Sequence, residues 1–273
     1  LTGKVYPRFL NVGPGLHNGF MVKTSGGLGG GLAGGANAAS SWTERSWVGF
    51  DTETTGVSPL RDRVVTAAVA IREGGARPTR GDHGRQWLAN PGVPIPTGAA
   101  KIHGVTTRDA ERHGRPPAQV LEEVNAALAA TVLRGGCLVV FNAGFDLPLL
   151  EAESTRHQVQ PLSHRLGGTV APVVDPLVLD RALVERRRGK RTLTDLVAAY
   201  GVTLPKDTHR ADVDATLTLD LLAAMVDAYP SLNSMSAMEL HRFQARAHAK
   251  WAESFERFLR SVGRSDHISR TWF

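Results

Sequence analysis

From residue 46 onward the apolar residues fall into short runs and helical stripes separated by turn signals, and their order predicts an α/β fold. Runs at 46–50, 64–71 and 85–89 read as three strands, with turn-rich connections that suit antiparallel neighbours. Residues 74–84, which include Pro78, form the expected hairpin loop. A helix follows the Pro116-Pro117 start signal, with Val120, Val124, Leu128 and Val132 at helical spacing. Residues 137–141 are continuously apolar, as in a parallel strand covered on both faces. Residues 147–153 then read as helix, with Pro148 tolerated in its first turn. A short fifth strand at 170–174 precedes helices at 177–184, 193–200 and 211–228. Three strands followed by alternating helices and strands give a mixed five-stranded sheet, its first three strands antiparallel, flanked by helices.

A last helical stretch, 237–262, places Phe243, Ala247, Trp251, Phe255, Phe258 and Val262 along one stripe. Packing against the domain explains such a stripe, and a partner-binding surface is the alternative. Residues 1–45 lack any such period, and 25–35 are nearly all glycine, with too few side chains to offset the entropy of ordering. The formal G-x-G-x-x-G at Gly29, Gly31 and Gly34 follows no strand and opens no helix, so a dinucleotide reading fails its context. The chain begins with Leu1 in place of Met, which leaves open whether this segment belongs to the native protein. The expected organisation is a flexible Gly-rich segment at 1–45, a folded domain at 46–229 and a helical extension at 230–273.

Composition narrows the partners more than the fold. A net charge of +6 and a pI near 9.9 favour polyanions. Cys137 is the only cysteine, which excludes an intrachain disulfide and a cysteine-built zinc site, and its apolar run suggests a buried, inert thiol. No apolar stretch is long enough to span a bilayer, and no secretory pattern opens the chain, so a cytoplasmic protein without membrane partners is expected.

The stretch Phe50-Asp51-Thr52-Glu53-Thr54-Thr55-Gly56 sets two carboxylates two residues apart at the end of an apolar run. Strand side chains repeat every second residue, so Asp51 and Glu53 share a face. Like charges that close repel, and one takes up a proton unless a cation sits between them. A divalent metal is the expected occupant. Asp146 follows the buried fourth strand, where a helix N-cap is the plain alternative. Asp212 and Asp214 both open the long late helix, where either could simply favour the positive helix end, and His209 alone suits a surface histidine.

As a set, Asp51, Glu53, Asp146, Asp214 and His209 resemble the DEDD family of 3′→5′ exonucleases in its histidine subgroup, which includes the epsilon-like proofreading subunits of bacterial replicative polymerases. The first family motif, D-x-E, is similar to Asp51-Thr52-Glu53 with Thr54-Thr55-Gly56 behind it; the second, N-x-x-F-D, to Asn142 through Phe145 and Asp146. The third, H-x-x-x-x-D, fits His209 and Asp214 and selects Asp214 over Asp212; Arg210 stands where the tyrosine subgroup has its tyrosine. The resemblance extends to Ile102-His103-Gly104-Val105-Thr106 and to Gly189-Lys190-Arg191-Thr192-Leu193-Thr194-Asp195-Leu196, and covers roughly residues 46–229. Phe141 departs from it, since members often carry histidine before the asparagine of the second motif.

This resemblance implies a ribonuclease H-like fold and two divalent ions, Mg²⁺ or Mn²⁺, held by Asp51, Glu53, Asp146 and Asp214. It implies His209 as the general base, a role worth roughly 10²–10⁴-fold in rate. It assigns substrate contacts to Thr54, Thr55, Gly56, His103, Gly104, Asn142 and Phe145, each with a plain turn, cap or packing role as the alternative. Asp175 is expected to be structural. The basic run Arg186-Arg187-Arg188-Gly189-Lys190-Arg191 is either a solvated loop or a phosphate track. The implied substrate is the 3′ end of single-stranded DNA, with RNA trimming as the runner-up. A non-catalytic nucleic-acid-binding module is a further reading, and a polymerase is a possible partner of the last helix.

Overall fold

The computed structural model describes residues 41–205 and 209–273, so the Gly-rich segment lies outside the described residues as far as residue 40. The described residues form one compact unit. Its first elements are β1 (Trp47–Thr54), β2 (Val64–Arg72), β3 (His83–Leu88), α1 (Thr97–His103), α2 (Thr107–His113) and α3 (Pro117–Leu133). Then come β4 (Cys137–Val139), α4 (Ala143–Arg156), the single turn α5 (Leu162–Arg165), β5 (Val173–Val174) and α6 (Pro176–Leu183). The chain ends with α7 (Leu193–Ala199), α8 (Ala211–Ala228), a 3₁₀ turn (Pro230–Ser234) and α9 (Ala237–Ser261).

The sheet order is β3-β2-β1-β4-β5, with β1, β2 and β3 antiparallel and β1, β4 and β5 parallel. This is the mixed five-stranded sheet that the apolar pattern predicts. The two-residue strand period divides β1 cleanly. Val48 and Phe50 enter a core with Val120, Leu128, Leu147 and Leu150 of α3 and α4. Trp47 faces the other way, into a core with Leu177, Leu196, Leu219 and Leu222 of α6, α7 and α8. Cys137 joins that second core, where burial pushes its thiol up to about 12, as an inert cysteine requires.

Two close approaches place the helices. An added Cβ at Gly49 would stand 2.6 Å from the Ala215 carbonyl oxygen, so α8 rests directly on the β1 backbone. The free edge of β5 is closed by side chains of α9. Val173 N–H donates to His241 Nδ1 at 3.2 Å, and Gln244 Nε2 donates to the Val173 carbonyl at 3.0 Å. The Asp175 amide donates to Gln244 Oε1 at 2.7 Å. An edge strand is thereby satisfied without a further strand.

Several elements differ from the sequence expectation. Strand β1 runs on to Thr54, so both carboxylates lie within it, paired opposite Ala68 and Thr66. Helix α4 starts at Ala143, four residues early, which puts Pro148 in its second turn instead of its first. The short α1 and α2 are additional to the predicted elements; α1 buries no residue and α2 only Ala110, so neither shows an apolar stripe. The buried seam of α9 is Leu240, Gln244, Ala252, Glu256 and Leu259, whereas Phe258 and Val262 of the expected stripe are exposed. Residues 41–45, grouped with the tail by sequence, are part of the folded unit: Trp42 is buried, stacks on Trp47 at 5.6 Å and donates to the Leu232 carbonyl. Among the described residues no helix is long and apolar enough to cross a membrane.

Because Gly49 meets backbone, which cannot rotate away, Gly49→Ala is expected to be destabilising by about 1–3 kcal/mol, the usual range for overpacking. A thermal melt should register this as a drop of several degrees, at roughly 2–4 °C per kcal/mol for a chain of this size. An unchanged midpoint would mean that α8 shifts off β1 freely.

Candidate active site

The strand period that separates the two cores also sorts the acidic residues. Asp51 and Glu53 project from β1 on the side of α8, and Asp214 meets them from the first turn of that helix. Carboxylate oxygens of these three residues lie within 4.8 Å of one another. Thr52 projects to the opposite side, where its amide and hydroxyl donate to Asp146 Oδ1 of α4 at 3.1 and 2.5 Å. Asp146 is therefore clamped to the strand between the other two, inside α4 and not at its N-cap. Asp212 turns away, in an ion pair with Arg210 at 2.9 Å.

Burial and mutual repulsion govern the charge of this group. Burial first, then Asp146, Glu53 and Asp214, hold the Asp51 carboxyl well above the usual carboxylate range. Burial and then Asp214 and Asp146 push Glu53 up to about 7. Burial raises Asp146 to about 7 against the opposing hydrogen bonds from Thr52. Asp214 is also raised by burial, with His209 pulling it back. Asp214 Oδ1 is buried without a hydrogen-bond partner among the described residues. Hard oxygen donors, mutual repulsion and an orphaned carboxylate oxygen fit a divalent cation of the magnesium or manganese type.

His209 lies just ahead of α8, exposed, with a left-handed backbone at φ 66°. Its backbone amide and its side-chain charge both act on Asp214. The candidate substrate residues fall into two groups. Thr55 is buried and its hydroxyl is taken up by the turn, donating to Asp62 Oδ1 and accepting from the Arg63 amide, both at 3.0 Å. Thr54 donates to the Gly56 carbonyl at 2.6 Å, and Gly56 packs on Asp62, where a Cβ would come within 2.7 Å of the carboxylate. This turn is self-contained through Asp62, so Thr55 has no hydroxyl proton left for a ligand. His103 ends α1 beside the Thr54 backbone, half-buried with Nε2 unpartnered, and Gly104 closes the helix in the left-handed conformation at φ 78°. Asn142 is exposed and left-handed at φ 61°, a conformation asparagine tolerates, and Phe145 packs against the α3–α4 core.

The position of α4 depends on Asp175, which reaches further than a structural cap. Its buried carboxylate accepts from the amides of Asn142 and Ala143 at 3.0 and 2.9 Å, and from Leu177 of its own helix at 2.9 Å. Trp272 covers the network, its indole N–H 3.4 Å from Asp175 Oδ2 and its carbonyl against Gly144. Asp175 thus ties the start of the Asp146 helix to β5, α9 and the last residues of the chain. The Asp175-Pro176 pair is a readable helix-start signal. Its reach across to Asn142 is not visible in sequence, and neither are the roles of Gly49, Gln244 and Trp272.

Residues 48–222 match the Exonuclease family model of the RNase T type, which is more than half of the chain. The chain belongs to this exonuclease family. Its sheet order and helices are those of a ribonuclease H-like α/β fold. Relatives include the DNA polymerase III subunit epsilon of Treponema pallidum, 28% identical over 69% of this chain and 80% of that one. The PolC-type DNA polymerase III of Streptococcus pneumoniae is 30% identical over 66% of this chain, which spans only 11% of that polymerase's length. Among solved structures, Escherichia coli exonuclease I in complex with a dA16 oligonucleotide superposes with a TM-score of 0.59 at 18% identity, over 70% of this chain and 42% of that one. Exonuclease I of Methylocaldum szegediense gives 0.57 at 21% identity, over 78% and 46%. Exonucleases of this family depend on divalent metal, and the acidic cluster is placed to hold it.

A carboxylate whose folded pKa is raised holds its proton more tightly in the folded state. Its contribution favours folding below the unfolded pKa and is lost as pH rises through the folded value, here from the ordinary carboxylate range to about 7 for Glu53 and Asp146. In chelator the melting midpoint is therefore expected to fall between about pH 5 and about pH 8, and Mg²⁺ or Mn²⁺ should restore it more at the higher pH. Asp51→Asn should weaken both responses. A flat profile in chelator, with no response to metal, would show that these carboxylates are not coupled.

Proposed function

We propose that this exonuclease-family chain is a 3′→5′ exonuclease that hydrolyses the terminal phosphodiester of single-stranded DNA and releases nucleoside monophosphates, in proofreading, repair or turnover in the cytoplasm. The observation that carries this reading is the convergence of Asp51, Glu53 and Asp214 within 4.8 Å, with Asp146 held at the same strand. The four carboxylates are the ligands of two divalent ions, Mg²⁺ or Mn²⁺. Bound there, such ions supply charge stabilisation at the scissile phosphate and lower the pKa of the attacking water.

The remaining work falls to the chain itself. His209 takes the proton from the attacking water at a ring nitrogen, which requires an uncharged ring at the start of each turnover. Asp214, whose Oδ1 has no hydrogen-bond partner among the described residues, faces Asp51 and Glu53 and fixes the loop that carries His209 through the His209 backbone amide. His103, beside the Thr54 backbone, and Gly104 next to it border the terminal nucleotide together with the Thr54-Thr55-Gly56 turn. Asn142 and Phe145 present the start of α4 to the same nucleotide. All four acidic positions are filled, which speaks against a module that has kept the fold and lost the chemistry.

RNA trimming is the alternative, since the same site suits either sugar and discrimination rests on contacts to the 2′-hydroxyl. Digestion of labelled DNA and RNA oligomers side by side should show faster loss of the DNA strand from its 3′ end. Exclusive cleavage of RNA would overturn the substrate assigned. His209→Ala should lose roughly 10²–10⁴-fold in turnover while calorimetric metal binding stays intact. Near wild-type hydrolysis by that variant would remove His209 from the mechanism.

A further inference from the structure

We propose that the outer side of α9 and the adjoining loop between α6 and α7 form a second track for single-stranded nucleic acid, on which bases of the strand behind the cut end stack. The proposal rests on the exonuclease reading of the site, and α9 lies beyond the segment 48–222 that matches the family. Trp251, Phe255 and Phe258 make a continuous ring stack. Centroids are 5.3 Å apart with planes 13° from parallel for the first pair, and 6.2 Å and 19° for the second. The Arg181 guanidinium closes the inner end, 3.7 Å from the Trp251 centroid. The outer end is open: Phe258 is 56% exposed and Val262 beyond it 55%. The helix does not need these rings to stay in place, because its buried seam runs through Leu240, Gln244, Ala252 and Leu259. A near-parallel stack with an open end accepts a nucleic-acid base as it would accept another ring.

Charge selects the occupant. Lys250, exposed next to Trp251, stands 3.8 Å from Glu185, which brings the α6–α7 loop alongside α9. That loop is built to present charge. Arg187 and Arg191 turn inward onto the buried Asp180 at 2.5 and 2.8 Å, and Arg187 also lies over Tyr200. Arg186, Arg188 and Lys190 are left exposed, with no ion pair among the described residues. An apolar protein surface would meet these cations unpaired, and an acidic one would leave the rings without flat partners. A single strand offers both a polyanionic backbone and flat apolar faces. The buried base of α9 is tied to the scaffold of the site, because Gln244 bonds the amide of Asp175, which holds the start of α4. From Gln244 to Phe258 the helix then rises about 21 Å.

The test is fluorescence anisotropy of a 5′-labelled oligothymidylate with the full chain in chelator, so that binding is read without hydrolysis. Phe258→Ala should weaken binding about tenfold, the loss of one base stack. Replacing Arg186, Arg188 and Lys190 by Gln should lower the slope of log K against log salt by about 2, at roughly 0.7 per phosphate contact. An abasic strand of equal length should bind wild type more weakly and ignore Phe258→Ala. Hydrolysis of a thymidine monophosphate aryl ester, too small to reach α9, should be unchanged in both variants. Wild-type affinity in Phe258→Ala, or equal loss on the abasic strand, would overturn the track. Ester hydrolysis by a wild type whose strand binding ignores both variants would overturn it while leaving the exonuclease reading intact. Strand binding through Phe258 without ester hydrolysis would do the reverse.

Discussion

The contact between the bare Gly49 backbone and the Ala215 carbonyl is the constraint on which the site depends. It lets α8 lie against β1 closely enough for Asp214 to face Asp51 and Glu53. The same strand, one residue out of phase, presents Thr52 to Asp146 on α4. One extended segment thus partitions the carboxylates between two helices. Burial raises the pKa of Asp51, Glu53, Asp146 and Asp214, and repulsion from the other acids adds to it at Asp51 and Glu53. Apolar burial on either side of β1 outweighs this repulsion. Trp47, Phe50, Leu147, Leu150 and Leu219 are fully buried or nearly so, and each such side chain contributes roughly 1.5–3 kcal/mol.

Much of this arrangement is legible in the sequence because it follows from periodicity. The shared face of Asp51 and Glu53 is a property of any strand, and α8 occupies the span 211–228 that its apolar repeat marks. The parts that escape a sequence reading are those where polar groups face inward. Gln244 and Glu256 sit in the buried seam of α9, one of them to close the edge of β5, so an apolar stripe points to the wrong side of that helix. The start of α4 is hidden because the apolar run of β4 continues past its last paired residue, Val139. Helix α2 did carry a signal, the Thr106–Asp109 capping box, without an apolar stripe to support it. Thr55 shows the converse limit: its motif suggests a ligand contact, and Asp62 seven residues later takes its hydroxyl.

Two opposite electrostatic regimes coexist in a chain of net charge +6. The partly buried acids at β1 stand where a cation can neutralise them. Around α6 and α9, arginines are organised by a single buried acid, Asp180, whose carboxyl is held below its usual range despite its burial because Arg187, Arg191 and Tyr200 all bond it. The one acid that is fully paired is held below its usual range, whereas burial raises the four around β1 above theirs. Asp175 stands between the two regions, buried, raised by its burial, and bonded by amides from α4 and α6.

His209 has a consequence of another kind. Its backbone sits at φ 66°, where a side chain larger than that of glycine or asparagine is strained by roughly 1 kcal/mol or more. Measured by folding alone, this is a position for Gly. A variant library sorted on thermal tolerance would drift toward glycine there and away from the imidazole, so under the role proposed for His209 stability screening and activity screening of this chain pull the same residue in opposite directions.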